Sequence, residues 1–178
     1  MSRNIEIKAH IASVAGLVPQ VQTLADQGPF EILQDDTYFA CSAGKLKLRM
    51  FSPQQGELIY YQRAHELGPK ESFYLRVPTA TPGDLRELLT LAHGQIGRVQ
   101  KQRTLFMVGR TRVHLDRVSG LGEFLELEVV LEESEPAQAG VREAHQLLIR
   151  LGVQPSQLIE GGYLDLMKAG TASQEPSA

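Results

Sequence analysis

The chain has 178 residues, with Lys plus Arg numbering 18 and Asp plus Glu 21, for a formal net charge of −3. That near-balance excludes whole-molecule attraction to nucleic acid or to an anionic membrane, so any basic site is local and offset by acid elsewhere. A composition of 42% hydrophobic and 22% charged residues excludes a disordered chain and leaves room for one ordinary domain with a real core.

In chain order, residues 4–10 alternate with period two, placing Ile5, Ile7 and Ala9 on one face and Asn4, Glu6, Lys8 and His10 on the other. The same alternation gives this opening stretch no apolar block of the signal-peptide kind. Residues 13–27 carry Val14, Leu17, Val18, Val21 and Leu24 at helical spacing, with Pro19 marking a late start or a kink. Strands are predicted over 45–49, 57–63 and 72–77, the last closed by Pro78. A helix starts at Thr81-Pro82-Gly83-Asp84, with Leu85, Leu88, Leu89 and Ala92 on one stripe, and stops at Gly94.

Further strands follow over 99–108 and 111–118, turning at Gly109-Arg110, and over 124–131 after Gly120-Leu121-Gly122. Residues 136–151 form a last helix, and 170–178 read as a disordered tail to a single domain of 1–169. The short connections call for antiparallel pairing. No apolar run reaches the roughly 18 residues needed to span a bilayer. Cys41 stands alone, which excludes an internal disulfide framework and a multi-cysteine metal site. A soluble cytoplasmic protein without nucleic-acid or membrane partners is expected.

The strand faces opposite the apolar ones are almost entirely ionisable: Glu6 and Lys8; Lys45, Lys47 and Arg49; Arg63; Lys101 and Arg103; Arg112, His114 and Asp116; Glu126 and Glu128. If the sheet closes into a barrel, these faces line its interior. Lys and Arg there suit a polyphosphate, and the carboxylates are oxygen ligands for Mg²⁺ or Mn²⁺. An antiparallel sheet with one wet face would show similar alternation. The number of charges exceeds what solubility asks.

Single residues carry less. His114 reads as a hydrogen-bonding channel residue, since no second histidine lies at ligand spacing, and His10, His65, His93 and His145 are scattered. Gly120-Leu121-Gly122 lacks the context of a phosphate loop. Tyr60, Tyr61, Phe73 and Tyr74 serve a core as readily as a stacked base.

Glu6-x-Lys8, Leu46-Lys47-Leu48-Arg49, Lys101-x-Arg103, Leu115-Asp116 and Glu126-x-Glu128, in that order, resemble the CYTH superfamily, the triphosphate tunnel metalloenzymes. That group includes class IV adenylyl cyclases and thiamine triphosphatases. The run from Lys101 to Gly109, with Leu115-Asp116 and Gly120 to Phe124, is most similar to the cyclase branch. The resemblance implies an α+β, mainly antiparallel fold: an eight-stranded tunnel barrel with a few helices packed outside. It also implies a triphosphate held with divalent cations, Mg or Mn.

Carried over by position, Glu6, Asp116, Glu126 and Glu128 would hold metal, and Lys8, Lys47, Arg49, Arg63, Lys101 and Arg103 the phosphates. Lys8, Arg63, Lys101 and Arg103 would carry the catalytic contacts. The family's first strand reads Glu-x-Glu-x-Lys; here Asn4 stands where the first acid would, and one negative charge is missing. The implied activity is conversion of ATP to cyclic AMP and pyrophosphate. Hydrolysis of thiamine triphosphate or inorganic triphosphate is the alternative, and binding without turnover a third. A homodimer is compatible with the resemblance.

Overall fold

A computed structural model describes residues 2–63 and 67–172. Its strands are β1 (Ser2–His10), β2 (Gln27–Phe39), β3 (Lys45–Ser52), β4 (Gln55–Arg63), β5 (Lys70–Thr79), β6 (Gln95–Val108), β7 (Thr111–Val118), β8 (Gly122–Leu131) and the two-residue β9 (Leu158–Ile159). Its helices are α1 (Val14–Gln22), α2 (Pro82–His93), α3 (Ala137–Arg150) and α4 (Tyr163–Ala172). The sheet order is β5-β4-β3-β2-β6-β7-β8-β1-β9, and β5 also pairs with β1. That last pairing closes the eight long strands into an antiparallel barrel without a free edge.

Period-two alternation sorts the side chains. Ile5, Ile7, Val113, Leu115, Leu125, Leu127 and Val129 point outward and are buried beneath Val14 and Val21 of α1 and Ala144, Leu147 and Leu148 of α3. Burying each Leu or Ile contributes about 1.5–3 kcal/mol, so this layer supplies the main stabilisation. A second layer places Leu85 and Leu89 of α2 on Phe39, Leu48 and Leu58. Leu88, expected on that stripe, is 59% exposed. Ser13 caps α1, its hydroxyl accepting from the Gly16 amide at 3.2 Å. α2 begins with Pro82 and stops at Gly94, whose φ of 77° suits glycine.

The predicted strands are all present. Helix α1 is shorter than the 13–27 periodicity implied, and it accommodates Pro19 inside it. Three elements have no counterpart in the sequence reading, β2, the short β9 and α4. The last runs through Gly170 to Ala172, into the stretch expected to be tail; residues 173–178 lie outside the described residues. No helix among the described residues is long and apolar enough to cross a membrane.

Helix α4 decides what kind of barrel this is. Tyr163 and Leu164 pack on Tyr38, Val99, Val118 and Phe124, the inward side chains at one end of β2, β6, β7 and β8. They stop that end with apolar contact. Gly97 makes the approach feasible, because a Cβ there would overlap the Leu164 side chain.

Candidate active site inside the barrel

The interior holds a cavity of about 240 Å³, lined from all eight long strands and by Gly162 and Tyr163. The inward series that was read as charged supplies its walls: Glu6 and Lys8, Lys47 and Arg49, Lys101 and Arg103, Arg112 and His114, Glu126 and Glu128. Arg63 ends β4, but its side chain lies outside the described residues. Lys45 turns toward α4 and pairs with Asp165 at 2.6 Å.

One wall, made by β2, β3 and β6, is a cationic nest around a single acid. Asp36 is fully buried. Its carboxylate accepts two bonds from Arg49 at 2.8 Å, one from Lys47 at 2.9 Å and one from Lys101 at 3.4 Å. Burial opposes its ionisation, but the charges of Arg49, Lys101 and Lys47 outweigh burial and hold the carboxyl well below its usual range. The lysines move the other way. Burial first, then Arg49, push Lys47 down to about 8 against the pull of Asp36. Lys101 falls to about 7, through burial and the charges of Arg49 and Arg103, with Asp36 opposing. One carboxylate shared among three cations leaves a surplus of positive charge facing the tunnel.

The opposite wall, from β7, β8 and β1, is built around carboxylates. Arg103 crosses to it from β6, donating two bonds to Asp116 at 2.7 Å and one to Glu126 at 2.8 Å. Lys8 donates to the other Glu126 oxygen, and Arg112 to Glu128 at 2.7 Å. Glu6 lines the cavity between Lys70 and Glu128 in register. Burial alone would raise Glu126, yet Lys8, His114 and Arg103 keep it well below the ordinary carboxylate range. Glu128 is likewise lowered by His114 and Arg112 against burial.

His114, Glu126 and Glu128 form a group whose ligand atoms all lie within 4.8 Å of one another, a donor set that can coordinate a divalent cation. His114 fits it as a neutral ligand: burial and then Arg103 push its imidazole below the ordinary value. The sequence had read His114 as a hydrogen-bonding residue. Its Nδ1 does lie 3.4 Å from Glu126, but the neighbouring carboxylates, invisible as a spacing motif, also make it a candidate ligand. Asp116, carried over as a metal residue, has no exposure, and Arg103 and the Tyr163 hydroxyl (2.8 Å) occupy its oxygens.

Asp36 and Tyr163 were missed. Tyr163 caps the charged end, its ring 4.0 Å from Lys8 Nζ and 5.3 Å from Lys101 Nζ. Asp36 sits in an Asp-Asp pair that reads as a turn until its partners on β3 and β6 are known.

The sequence matches the CYTH domain family over residues 2–163. The chain belongs to the CYTH domain family. The adenylate cyclase CyaB of Aeromonas hydrophila is 24% identical to this CYTH protein over 168 residues, covering 90% of this chain and 83% of that one. In fold it is similar to the PH1012 protein of Pyrococcus horikoshii OT3, with a TM-score of 0.81 at 22% identity, covering 92% of this chain and 98% of that one. A further structural relative is HpAC1 from Hippeastrum, described as an adenylyl cyclase with a dominant triphosphatase activity. Its TM-score is 0.66 at 15% identity, covering 96% of each chain.

Proposed function

We propose that this CYTH protein lays a triphosphate along the cationic wall and cleaves a phosphorus–oxygen bond opposite His114, Glu126 and Glu128. The carrying observation is the pairing of unlike walls: a nest with surplus positive charge around Asp36 faces a cluster able to hold a divalent cation. A triphosphate carries about four negative charges, and burying them without counter-charge would cost several kcal/mol per ion. Lys8, Lys47, Arg49, Lys101 and Arg103, with Arg63 at the end of β4, would bind and orient the chain. Glu126 and Glu128, with His114, would hold Mg²⁺ or Mn²⁺, and Glu6 and Asp116 would contribute acid to the same wall. When bound, such a cation supplies Lewis-acid polarisation of phosphoryl oxygens.

The finer reading is adenylyl cyclase, supported by the Aeromonas relative. The ribose 3′-oxygen of ATP attacks the α-phosphorus and loses its proton, the bond to the β-phosphate oxygen breaks, and pyrophosphate leaves. Lys101 and Arg103 would neutralise charge growing on that leaving group. A second reading, hydrolysis of the terminal phosphate by water, is supported by the likeness to the Hippeastrum protein. Both use the same walls and differ in which phosphorus lies beside the carboxylates.

Incubation with ATP, GTP, thiamine triphosphate and inorganic triphosphate, with Mg²⁺ or Mn²⁺ and chromatographic resolution of products, tests the reading. Cyclic nucleotide with pyrophosphate supports the cyclase, and orthophosphate with a diphosphate supports the hydrolase. No metal-dependent product from any of them overturns both.

A further inference from the structure

Asp36 stands behind the cationic wall. It shares the inward face of β2 with Gln34 and Tyr38, which line the cavity, yet its own side chain has no exposure. Lys47, Arg49 and Lys101 line the cavity in front of it. A wall that served only to attract phosphate would do better without this acid, because a buried negative charge lowers the pull on an anion.

The geometry shows what the acid does instead. Asp36 Oδ1 accepts from Arg49 Nε and Oδ2 from Arg49 Nη2, both at 2.8 Å, so the guanidinium is clasped along one edge and its plane is fixed. Oδ2 also accepts from Lys47 Nζ at 2.9 Å and Lys101 Nζ at 3.4 Å. Lys47 and Arg49 come from β3 and Lys101 from β6, the strands on either side of β2. One carboxylate thus gathers the tips of three long side chains from both flanking strands. Tyr38 and Tyr61 brace Lys47 further, their rings 5.6 and 5.5 Å from its Nζ. Without the carboxylate, like charges would push these flexible side chains apart into other rotamers.

We infer that Asp36 is a positioning residue, which fixes Lys47, Arg49 and Lys101 where the phosphate oxygens of the reacting substrate need them. The inference rests on the proposed placing of the triphosphate along this wall. Asp36 engages one edge of the guanidinium and one N–H of each ammonium, so donors remain on all three for phosphate. The substrate joins the cluster from the tunnel side and leaves the clasp in place. Because Asp36 carries the same sign of charge as the substrate, it weakens ground-state binding. Its benefit lies in donors already aimed at the transition state.

The test compares the whole protein with Asp36→Asn, which keeps the size of the side chain and removes its charge and one acceptor. Turnover is followed with whichever of ATP, GTP, thiamine triphosphate and tripolyphosphate the wild type consumes fastest, and calorimetry with Mg²⁺-tripolyphosphate gives affinity and the number of working sites. Per working site, kcat should fall about 100-fold or more, while KM and the tripolyphosphate Kd stay within about three-fold or tighten. A merely structural role would reduce the number of sites and leave kcat per site unchanged. Arg49→Lys keeps the charge but cannot clasp both oxygens; it should lose about ten-fold in kcat at unchanged KM, and it carries the test if the Asp36 variant does not fold. Variants with kcat per site within about three-fold of wild type, or with affinity falling as far as kcat, would overturn the positioning role and leave the triphosphate reading standing. A wild type with no metal-dependent turnover would overturn that reading and this inference with it.

Discussion

The two walls of the tunnel solve the problem of buried charge in different ways. On the β2–β3–β6 side, one carboxylate, Asp36, serves Lys47, Arg49 and Lys101. On the β7–β8–β1 side, Glu126, Glu128 and Asp116 are met by Lys8, Arg112 and Arg103. Every one of these ions has a partner, which is how a barrel interior tolerates them. On the proposed function, the first wall would take anion and the second would exchange its cations for a metal as phosphates draw them away. Pairing among the protein's own groups neutralises much of this charge; on the proposed function, a metal–triphosphate complex would re-pair them.

The comparison breaks most sharply at Arg103, which joins Asp116 and Glu126 of the acidic wall from a strand of the basic one. Arg103→Leu should destabilise the protein by about 3–5 kcal/mol in chemical denaturation, because it leaves Asp116 and Glu126 buried with one partner fewer. A loss under about 1 kcal/mol would mean that the acids are well solvated and the walls are independent.

Next comes coupling. Tripolyphosphate should bind about ten-fold or more tightly with Mn²⁺ present, and Glu128→Gln should shrink that gain. Equal affinity with and without metal, measured by calorimetry, would show that the acidic wall takes no part in binding.

A third test is pH. Burial and neighbouring cations lower Lys101 to about 7 and Lys47 to about 8, so triphosphate binding should take up protons there and weaken as pH rises through 7–8. Titrations in buffers of different ionisation enthalpy count those protons, and zero uptake refutes the assignment. Stability moves the other way. From about pH 7 to the ordinary lysine value, the unfolded chain binds protons that these native lysines do not, so their destabilising effect eases as pH rises.

Smaller effects sharpen the picture of the closed end. Gly97→Ala should cost about 1–3 kcal/mol by overpacking Leu164, with faster amide exchange in α4. Tyr163→Phe, which removes only the hydroxyl bound to Asp116, should cost about 1 kcal/mol; a larger loss would place Tyr163 in the network that keeps Asp116 ionised.

Much of this molecule is legible in its sequence. Ile5, Ile7 and Ala9 against Glu6 and Lys8 told which face of the first strand is core, and the same rule held on β3, β6, β7 and β8. It worked because strands expose alternate residues to opposite environments, and here one environment is apolar and the other ionic. The reading failed at β2. There Asp35 and Asp36, adjacent and both acidic, look like a turn. In the fold they point to opposite sides of the wall: Asp35 outward to Arg86 and Arg98, Asp36 inward to its three cations. Nothing local announces either set of partners.

The sequence by itself determined the periodicity of most strands, the cover by α1, α2 and α3 and most of the charges inside the barrel, because these depend on near neighbours and on the hydrophobic pattern. Only the tertiary structure decided which charges pair, that His114 joins Glu126 and Glu128, and that α4 closes one end. Those facts depend on contacts between residues far apart in the chain, such as Lys8 with Glu126 or Tyr163 with Asp116. A buried ion is tolerated only where its partner is delivered, and delivery is a property of the closed barrel.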